Sequence, residues 1–144
     1  MYKKVLVATD GSETATQAVV VATELAKTFG ATLHVANVYK GGRAANLAVP
    51  EFMMAYPEGI DRGSVAATRA ESAASYARSK GVKTKSHAVQ GDAAEQIVAL
   101  AADQKIDLIV VGNKGMRGAK RVLGSVPNTV THRATCAVLI VNTT

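Results

Sequence analysis

Tryptophan is absent from this chain of 144 residues, and aromatic side chains make up only 4% of it. Any hydrophobic core must therefore be built from alanine, valine, leucine and isoleucine, which suits helices packed closely on a sheet. The composition is otherwise ordinary, with 48% hydrophobic and 19% charged residues, so global disorder is not expected. A chain of this length can form a single domain around one core.

Cysteine occurs once, as Cys136, so an internal disulfide is excluded. Cys136 lies within an apolar run, a position typical of a buried and inert thiol. The N-terminal segment has two lysines and then an apolar run too short for a signal peptide, and no apolar run of about 18 residues follows. We therefore expect a cytoplasmic protein with no membrane partner.

Several catalytic and metal-binding motifs are also missing. The phosphate-binding loop GxxxxGK followed by Ser or Thr does not occur, and Asp10-Gly11-Ser12 has too few glycines for the dinucleotide fingerprint GxGxxG. His132 follows Ser125 on the same predicted helix at a distance of about 10 Å, too far to act as its base. No cluster of cysteines and histidines has the spacing of metal ligands. We expect no catalytic residue and no metal held by protein ligands.

The charge is unbalanced, with 17 basic against 11 acidic residues, a net charge of +6 and a pI of about 9.6. Such a surface favours anionic partners in general. The basic residues are mostly scattered, and few aromatic side chains are present to stack on bases, so nucleic acid is not the expected partner. A basic protein- or nucleic-acid-interaction module stays open as an alternative.

Hydrophobic periodicity alternates between strands and helices along the whole chain. Short apolar or alternating runs predict five strands, and three- to four-residue spacing of alanine, valine and leucine predicts four helices between them. This order is typical of an α/β fold, here a single doubly wound five-stranded parallel sheet with helices on both faces. The predicted strands are 4–8, 32–38, 83–89, 106–111 and 136–141, and the predicted helices begin near residues 13, 64, 92 and 125.

Residues 40–60 interrupt the rhythm with two adjacent glycines and two prolines. We interpret them as a connecting segment that is mobile or partly ordered. A functional lid and disorder are both open for a loop of this length.

The predicted ligand site lies after the first and fourth strands, because ligands of such sheets bind beyond the carboxyl ends of the strands. Gly112 and Gly115 let the backbone approach a ligand closely. Gly124 and Ser125 begin the last helix, whose free N–H groups attract anions. Asp10, after the first strand, could accept hydrogen bonds from ribose hydroxyls or help to hold a bound cation. The intervening loop carries cations that could neutralise phosphate, namely Lys114, Arg117, Lys120 and Arg121.

These motifs resemble the nucleotide-binding signature of the universal stress protein family. The resemblance rests on Gly112-x-x-Gly115, on Gly124-Ser125-Val126, on the opening VLVATDGS and on Leu33-His34-Val35, and it covers essentially the whole chain, residues 1–144. It implies one universal stress protein domain of the adenine nucleotide alpha hydrolase-like fold, with strand order 3-2-1-4-5. It also implies a homodimer formed through the strand 136–141, an exposed apolar edge that needs a cover.

The resemblance further implies that the protein binds ATP as a stress-response sensor or switch, with any Mg²⁺ or Mn²⁺ arriving through the phosphates. Eight residues separate Gly115 from Gly124, where ATP-binding members have nine. A member that binds cyclic AMP or no nucleotide, and a slow ATP hydrolase, therefore stay open. The implied nucleotide-binding residues are Ala8, Thr9, Asp10 and Val35 around the base, and Gly112, Asn113, Gly115, Met116, Arg117, Gly124, Ser125 and Val126 around the ribose and phosphates.

Overall fold

The computed structural model describes residues 1–41, 61–113 and 123–142, so the interrupted segment falls outside the described residues from position 42 to 60. Strands and helices alternate as the periodicity predicts. Their order is β1 (Lys4–Ala8), α1 (Glu13–Phe29), β2 (Thr32–Tyr39), α2 (Arg62–Ser79), β3 (Thr84–Gln90), α3 (Ala93–Asp103), β4 (Leu108–Gly112), α4 (Ser125–Arg133) and β5 (Ala137–Val141). In the described ranges no helix combines the length and apolarity needed to cross a membrane.

The five strands form one parallel sheet in the order β3-β2-β1-β4-β5, which confirms the predicted fold and places β1 at its centre. Ala8, the last residue of β1, pairs with Ala36 of β2. β2 and β3 continue together for three more residues, as far as Tyr39 and Gln90. At about 3.3 Å per residue, these two strands stand roughly 10 Å beyond the end of β1.

The core has two layers, one on each face of the sheet. Val5 and Val7 of β1 point toward α1 and α2, whereas Leu6 points toward α3 and α4. All three side chains are fully buried because β1 is covered on both faces. The buried face of α2 consists of four alanines, which lets this helix approach the sheet closely. A core without large aromatics is therefore achieved with small and branched side chains.

Local capping explains where the helices begin and end. The Ser12 hydroxyl accepts a hydrogen bond from the Ala15 N–H at 3.2 Å and begins α1. Asp92 begins α3 in the same way, accepting from the Glu95 N–H at 3.1 Å, as the sequence predicts. Gly30 ends α1 with a φ of 64°, in the left-handed region that glycine adopts readily.

The fourth strand begins later than its apolar run predicts. The Ile106 N–H donates to the Ala101 carbonyl at 2.8 Å, which continues the end of α3 rather than the sheet. The Asp107 carboxylate then accepts the N–H groups of both Lys3 and Lys4 at 2.8 Å. These two hydrogen bonds lower the pKa of Asp107, and they fix the start of β1 beside β4.

A pair of stacked histidines lies between β2 and β3 on the face that α3 covers. His34 Nδ1 is 2.9 Å from His87 Nε2, and the rings are nearly parallel. His34 is 1% exposed, and its Nε2 atom has no hydrogen-bond partner among the described residues. Burial, His87 and the nearby cations Lys85 and Lys4 together lower the pKa of His34 to about 4. The pair is therefore neutral when the protein is folded at pH 7.

Candidate functional site

A cavity of about 240 Å³ opens at the carboxyl ends of the central strands, where the strand order reverses. The loop after β1 and the starts of α1, α3 and α4 surround it, and β2 forms one wall. Its volume lies just below the range of roughly 300–1,000 Å³ that is usual for small-molecule sites. The lining residues are Ala8, Thr9, Asp10, Ser12, Thr14, Ala15, Val38, Ala93, Ile97, Val111, Gly112, Val126 and Pro127.

The loop between β1 and α1 is held in one shape by its own hydrogen bonds. The Thr9 N–H donates to the Ala36 carbonyl at 2.9 Å, so the loop begins as an extension of the sheet. Thr9 Oγ1 then accepts from the Gly11 N–H, and Asp10 Oδ1 accepts from the Ser12 N–H at 2.9 Å. Gly11 has a φ of 81°, so this turn depends on glycine. The Asp10 carboxylate is thereby fixed at the rim of the cavity.

The end of β4 contributes a residue without a side chain at a narrow point. A Cβ atom at Gly112 would lie 3.4 Å from the Thr14 carbonyl oxygen, so a larger side chain would occupy the space between β4 and α1. The gap is open because position 112 is glycine. A ligand can therefore reach the backbone of β4 here, as the sequence predicts for a glycine at this position.

Asn113 is 1% exposed and forms hydrogen bonds with residues at the end of β5. Its N–H donates to the Val141 carbonyl at 3.0 Å, and its side-chain amide donates to Asn142 Oδ1 at 2.8 Å. Asn113 therefore connects the end of β4 to the end of β5, and it is not among the residues that line the cavity.

The start of α4 faces the cavity through Val126 and Pro127. Gly124 is its N-cap residue and provides no side-chain hydrogen bond to the first turn. In the first turn of α4, Ser125 and Val126 have backbone N–H groups of the kind that bind anions at a helix start, whereas Pro127 has none. Ser125 is exposed and faces a neighbouring polar groove beside Asp92 and Arg133 instead.

The side chain of Val35 does not line the cavity. It is fully buried on the α1 and α2 face of the sheet, in the first core layer. Val38 lines the cavity instead, because side chains of a strand alternate between faces and Val38 lies on the same face as Ala36 and Ala8. The other predicted residues at this end, Gly115, Met116 and Arg117, lie outside the described residues, as do Lys114, Lys120 and Arg121.

Of the residues predicted from the sequence, Ala8, Thr9, Asp10, Gly112 and Val126 line the cavity. The first turn of α1, the start of α3 and Val38 also line it and are not among the predicted residues. Side chains of β2 alternate between the two faces of the sheet, and Val38 shares the face of Ala36, which pairs with Ala8. This alternation is the sequence signal that indicates Val38. Ala93 and Ile97 line the cavity through the packing of α3 over the sheet, which no local pattern predicts.

The cavity combines apolar walls with polar groups at one side. Val38, Ile97 and Val126 offer apolar surface suited to a planar ring, while Thr9 and Asp10 offer oxygen atoms at the rim. Gly112 and the start of α4 provide backbone approach and N–H groups for a negatively charged end. Within the described ranges no three His, Cys, Asp or Glu side chains form a group that could hold a metal ion.

Cys136 lies outside the cavity, half-buried against the second core layer. Burial raises the pKa of its thiol, so the thiolate is disfavoured at neutral pH. Cys136 is therefore less buried than its apolar run predicts.

A model of the universal stress protein family matches residues 1–142. The chain belongs to the universal stress protein family. Curated relatives agree in length as well as sequence. A universal stress protein of Bacillus subtilis, YxiE, is 33% identical, with 98% of this chain and 99% of the relative covered. The Mycobacterium tuberculosis universal stress protein Rv1636 is 36% identical, with 99% and 98% covered.

The fold of the family member also agrees with solved structures. A universal stress protein crystallised in complex with cAMP is 32% identical to this chain and has a TM-score of 0.75. The match covers 99% of this chain and 98% of that structure. The similarity therefore includes every element that surrounds the cavity.

Proposed function

We propose that this universal stress protein binds an adenine nucleotide in the cavity beyond β1 and β4. The observation that carries the proposal is the position of this cavity at the reversal of strand order, between a side-chain-free β4 end and the start of α4. Family membership supports it, as does a structural relative that holds cAMP at 32% identity.

In the proposed complex the base lies against the apolar wall formed by Val38, Ile97 and Val126. The Asp10 carboxylate accepts hydrogen bonds from the ribose hydroxyls. The phosphates lie toward Gly112 and the N–H groups at the start of α4, where the partial positive charge of the helix favours an anion. Any Mg²⁺ or Mn²⁺ is brought by the phosphates, since divalent ions of this kind bind mainly through them.

ATP is the first candidate, on the glycine pattern of residues 112–125. Cyclic AMP is the second candidate, and the cAMP complex of the relative favours it specifically. Both share the adenine and the anion, so both use the same wall and the same helix start.

We assign binding and signalling rather than fast catalysis to this site. Among the described residues that line the cavity, Asp10 is the one with a readily ionised side chain, and no second group is positioned to activate water beside it. Occupancy by nucleotide then acts as the signal of metabolic state, in a protein that we place in the cytoplasm.

We also propose a homodimer formed through β5. This strand is the edge of the sheet, and Ala137 and Leu139 are exposed on it. An apolar edge strand readily pairs with another strand. A second copy of β5 would cover the apolar side chains and would also pair the backbone N–H and carbonyl groups of the edge. Asn113 links the end of β4 to this strand, so the cavity and the proposed interface are neighbours.

Calorimetric titration of the purified full chain tests the proposed ligand. We expect ATP with Mg²⁺ or cyclic AMP to bind and GTP to bind at least tenfold more weakly, because the apolar wall is proposed to recognise adenine. Gly112→Val should weaken binding at least tenfold, since its side chain enters the gap between β4 and Thr14.

Ala102→Val, on an exposed face of α3, is the control and should bind as the wild type does. Melting curves of both variants separate lost binding from lost folding. The absence of both heat and thermal stabilisation with every adenine nucleotide would refute the proposal.

A further inference from the structure

The helix α2 begins beyond the carboxyl end of the central strand β1, at the level of the last residue of β2. Gly63, in its first turn, lies against the Tyr39 hydroxyl, 3.1 Å from the position that a Cβ atom would take. Tyr39 is three residues beyond the level of Ala8, about 10 Å along the strand direction. The helix runs in the opposite direction to the strands, and the six residues from Gly63 to Arg69 cover about 9 Å of this distance. Arg69 therefore lies level with the loop at the rim of the cavity.

The side chain of Arg69 packs directly on that loop. A Cβ atom at Gly11 would be 3.3 Å from both Cδ and Nε of Arg69, so the arginine occupies the space that a side chain at position 11 would need. Gly11 is flanked by Asp10 and Ser12, and both of these residues line the cavity. The guanidinium is thus held one residue away from the cavity rim.

The charge of Arg69 has no protein partner among the described residues. Ion pairs there join Arg78 to Glu71, and Arg133 to Glu95 at 3.6 Å, and neither involves Arg69. Arg69 is exposed. Its stem packs along the loop, as long charged side chains commonly do while the charged head stays in water.

A nucleotide that enters the cavity brings the negative charge of its phosphate, which favours a cationic side chain nearby. A guanidinium can bind two phosphate oxygens at once through parallel N–H groups, which suits it better than an ammonium group to this task.

We infer that Arg69 binds the phosphate of the nucleotide and selects phosphorylated ligands over nucleosides. The inference rests on the proposed function. Arg69 belongs to α2, whereas the other proposed phosphate contacts belong to β4 and α4. Gly11 has a second role in this arrangement, because it leaves room for the arginine stem as well as allowing the turn.

Titration of three ligands against wild type, Arg69→Gln and Arg69→Lys tests the inference. For ATP with Mg²⁺ and for cyclic AMP, we expect Arg69→Gln to weaken binding about tenfold, roughly the effect of losing one charged hydrogen-bonding partner. The affinities of the wild type and of Arg69→Gln for adenosine should agree within twofold. Arg69→Lys should restore only part of the affinity, because an ammonium cannot bind two oxygens in parallel.

Arg78→Gln removes the same charge from the same helix, far from the cavity, and should leave all three affinities within twofold. Equal affinity of wild type and Arg69→Gln for the phosphorylated ligands would overturn the inference. An equal loss for adenosine would also overturn it, because the effect would then be structural.

Inorganic tripolyphosphate separates this inference from the proposed function. If the wild type binds no adenine ligand, the proposed function fails, and tripolyphosphate then tests Arg69 alone. Binding of tripolyphosphate that weakens about tenfold in Arg69→Gln supports an anion-binding role. No binding, or binding that is unchanged in Arg69→Gln, overturns it.

Discussion

His34 shows at the scale of a single residue how burial can make the fold depend on pH. Its pKa is about 4 in the folded protein, against 6.5 for an ordinary histidine, because of burial and of nearby positive charge from Lys85 and Lys4. His87 is shifted in the same direction, and the Asp103 carboxylate only partly opposes that shift. The unfolded chain therefore binds more protons than the folded chain between pH 6.5 and 4.

Since protons favour the unfolded state in this window, stability should fall as the pH is lowered. We expect the free energy of unfolding to decrease by on the order of 1–2 kcal/mol between pH 7 and 5. Urea denaturation at several pH values between 7 and 5 measures this decrease. This window lies above the lower pH range in which carboxylates are protonated. His34→Leu should flatten the dependence, whereas His132→Leu, on an exposed part of α4, should not. A wild-type stability that is constant across this range contradicts the prediction.

The sequence indicates which residues lie at the ends of strands, but it does not indicate which face of the sheet a side chain points to. Thr9, Asp10 and Gly112 follow or end apolar runs, so their position at the sheet edge can be deduced from the pattern. Val35 was expected beside the base because of the motif around it, yet it points to the other face of the sheet. The facing direction of a residue in β2 depends on its register with β1, and register is a tertiary property.

At the scale of elements, Gly30 at the end of α1 lets the free-energy cost of a left-handed backbone conformation be measured without a steric clash. Its φ is 64°, and nothing lies within 4 Å of the position that a Cβ atom would take. Gly30→Ala should therefore lower the free energy of unfolding by about 1 kcal/mol through backbone strain alone, without a clash. Urea denaturation of the purified variants measures this difference.

Gly30→Asn is the matched comparison, because asparagine tolerates the left-handed region better than alanine does. It should lose less than half as much stability as Gly30→Ala. Equal stability of the alanine variant and the wild type would show that the end of α1 rearranges instead.

Elements were largely predictable because their signals are local. Helical spacing of alanine in α2, the Asp92 cap of α3 and Gly30 after α1 all act within a few residues. The start of β4 was placed too early because Ile106 is apolar and buried, as a strand residue would be. Its hydrogen bond to Ala101 instead closes α3, and hydrophobicity does not distinguish these two uses.

At the scale of the whole molecule, the proposed dimer makes a direct prediction about β5. Leu139 is 37% exposed on this edge strand, where a second copy would cover it. Leu139→Lys should shift the protein from dimer to monomer at micromolar concentration, because burying a lysine there leaves its charge unpaired. Light scattering coupled to size-exclusion chromatography measures the mass.

Tyr76→Lys is the control, since Tyr76 is also 37% exposed but lies on α2. It should leave the mass of the dimer unchanged. A monomeric wild type, or a Leu139→Lys variant that remains dimeric, contradicts the proposed interface.

The central position of β1 has a consequence for synthesis on the ribosome. Val5 of this strand pairs with Leu33 on one side, which emerges soon afterwards, but with Leu108 on the other. Because the chain emerges from its N-terminus, the future centre of the sheet is an open edge until most of the chain has been made. That edge is fully apolar on both faces, so nascent chains of neighbouring ribosomes can pair with it. The interval before β4 emerges is therefore when the central strand is most open to pairing with another chain.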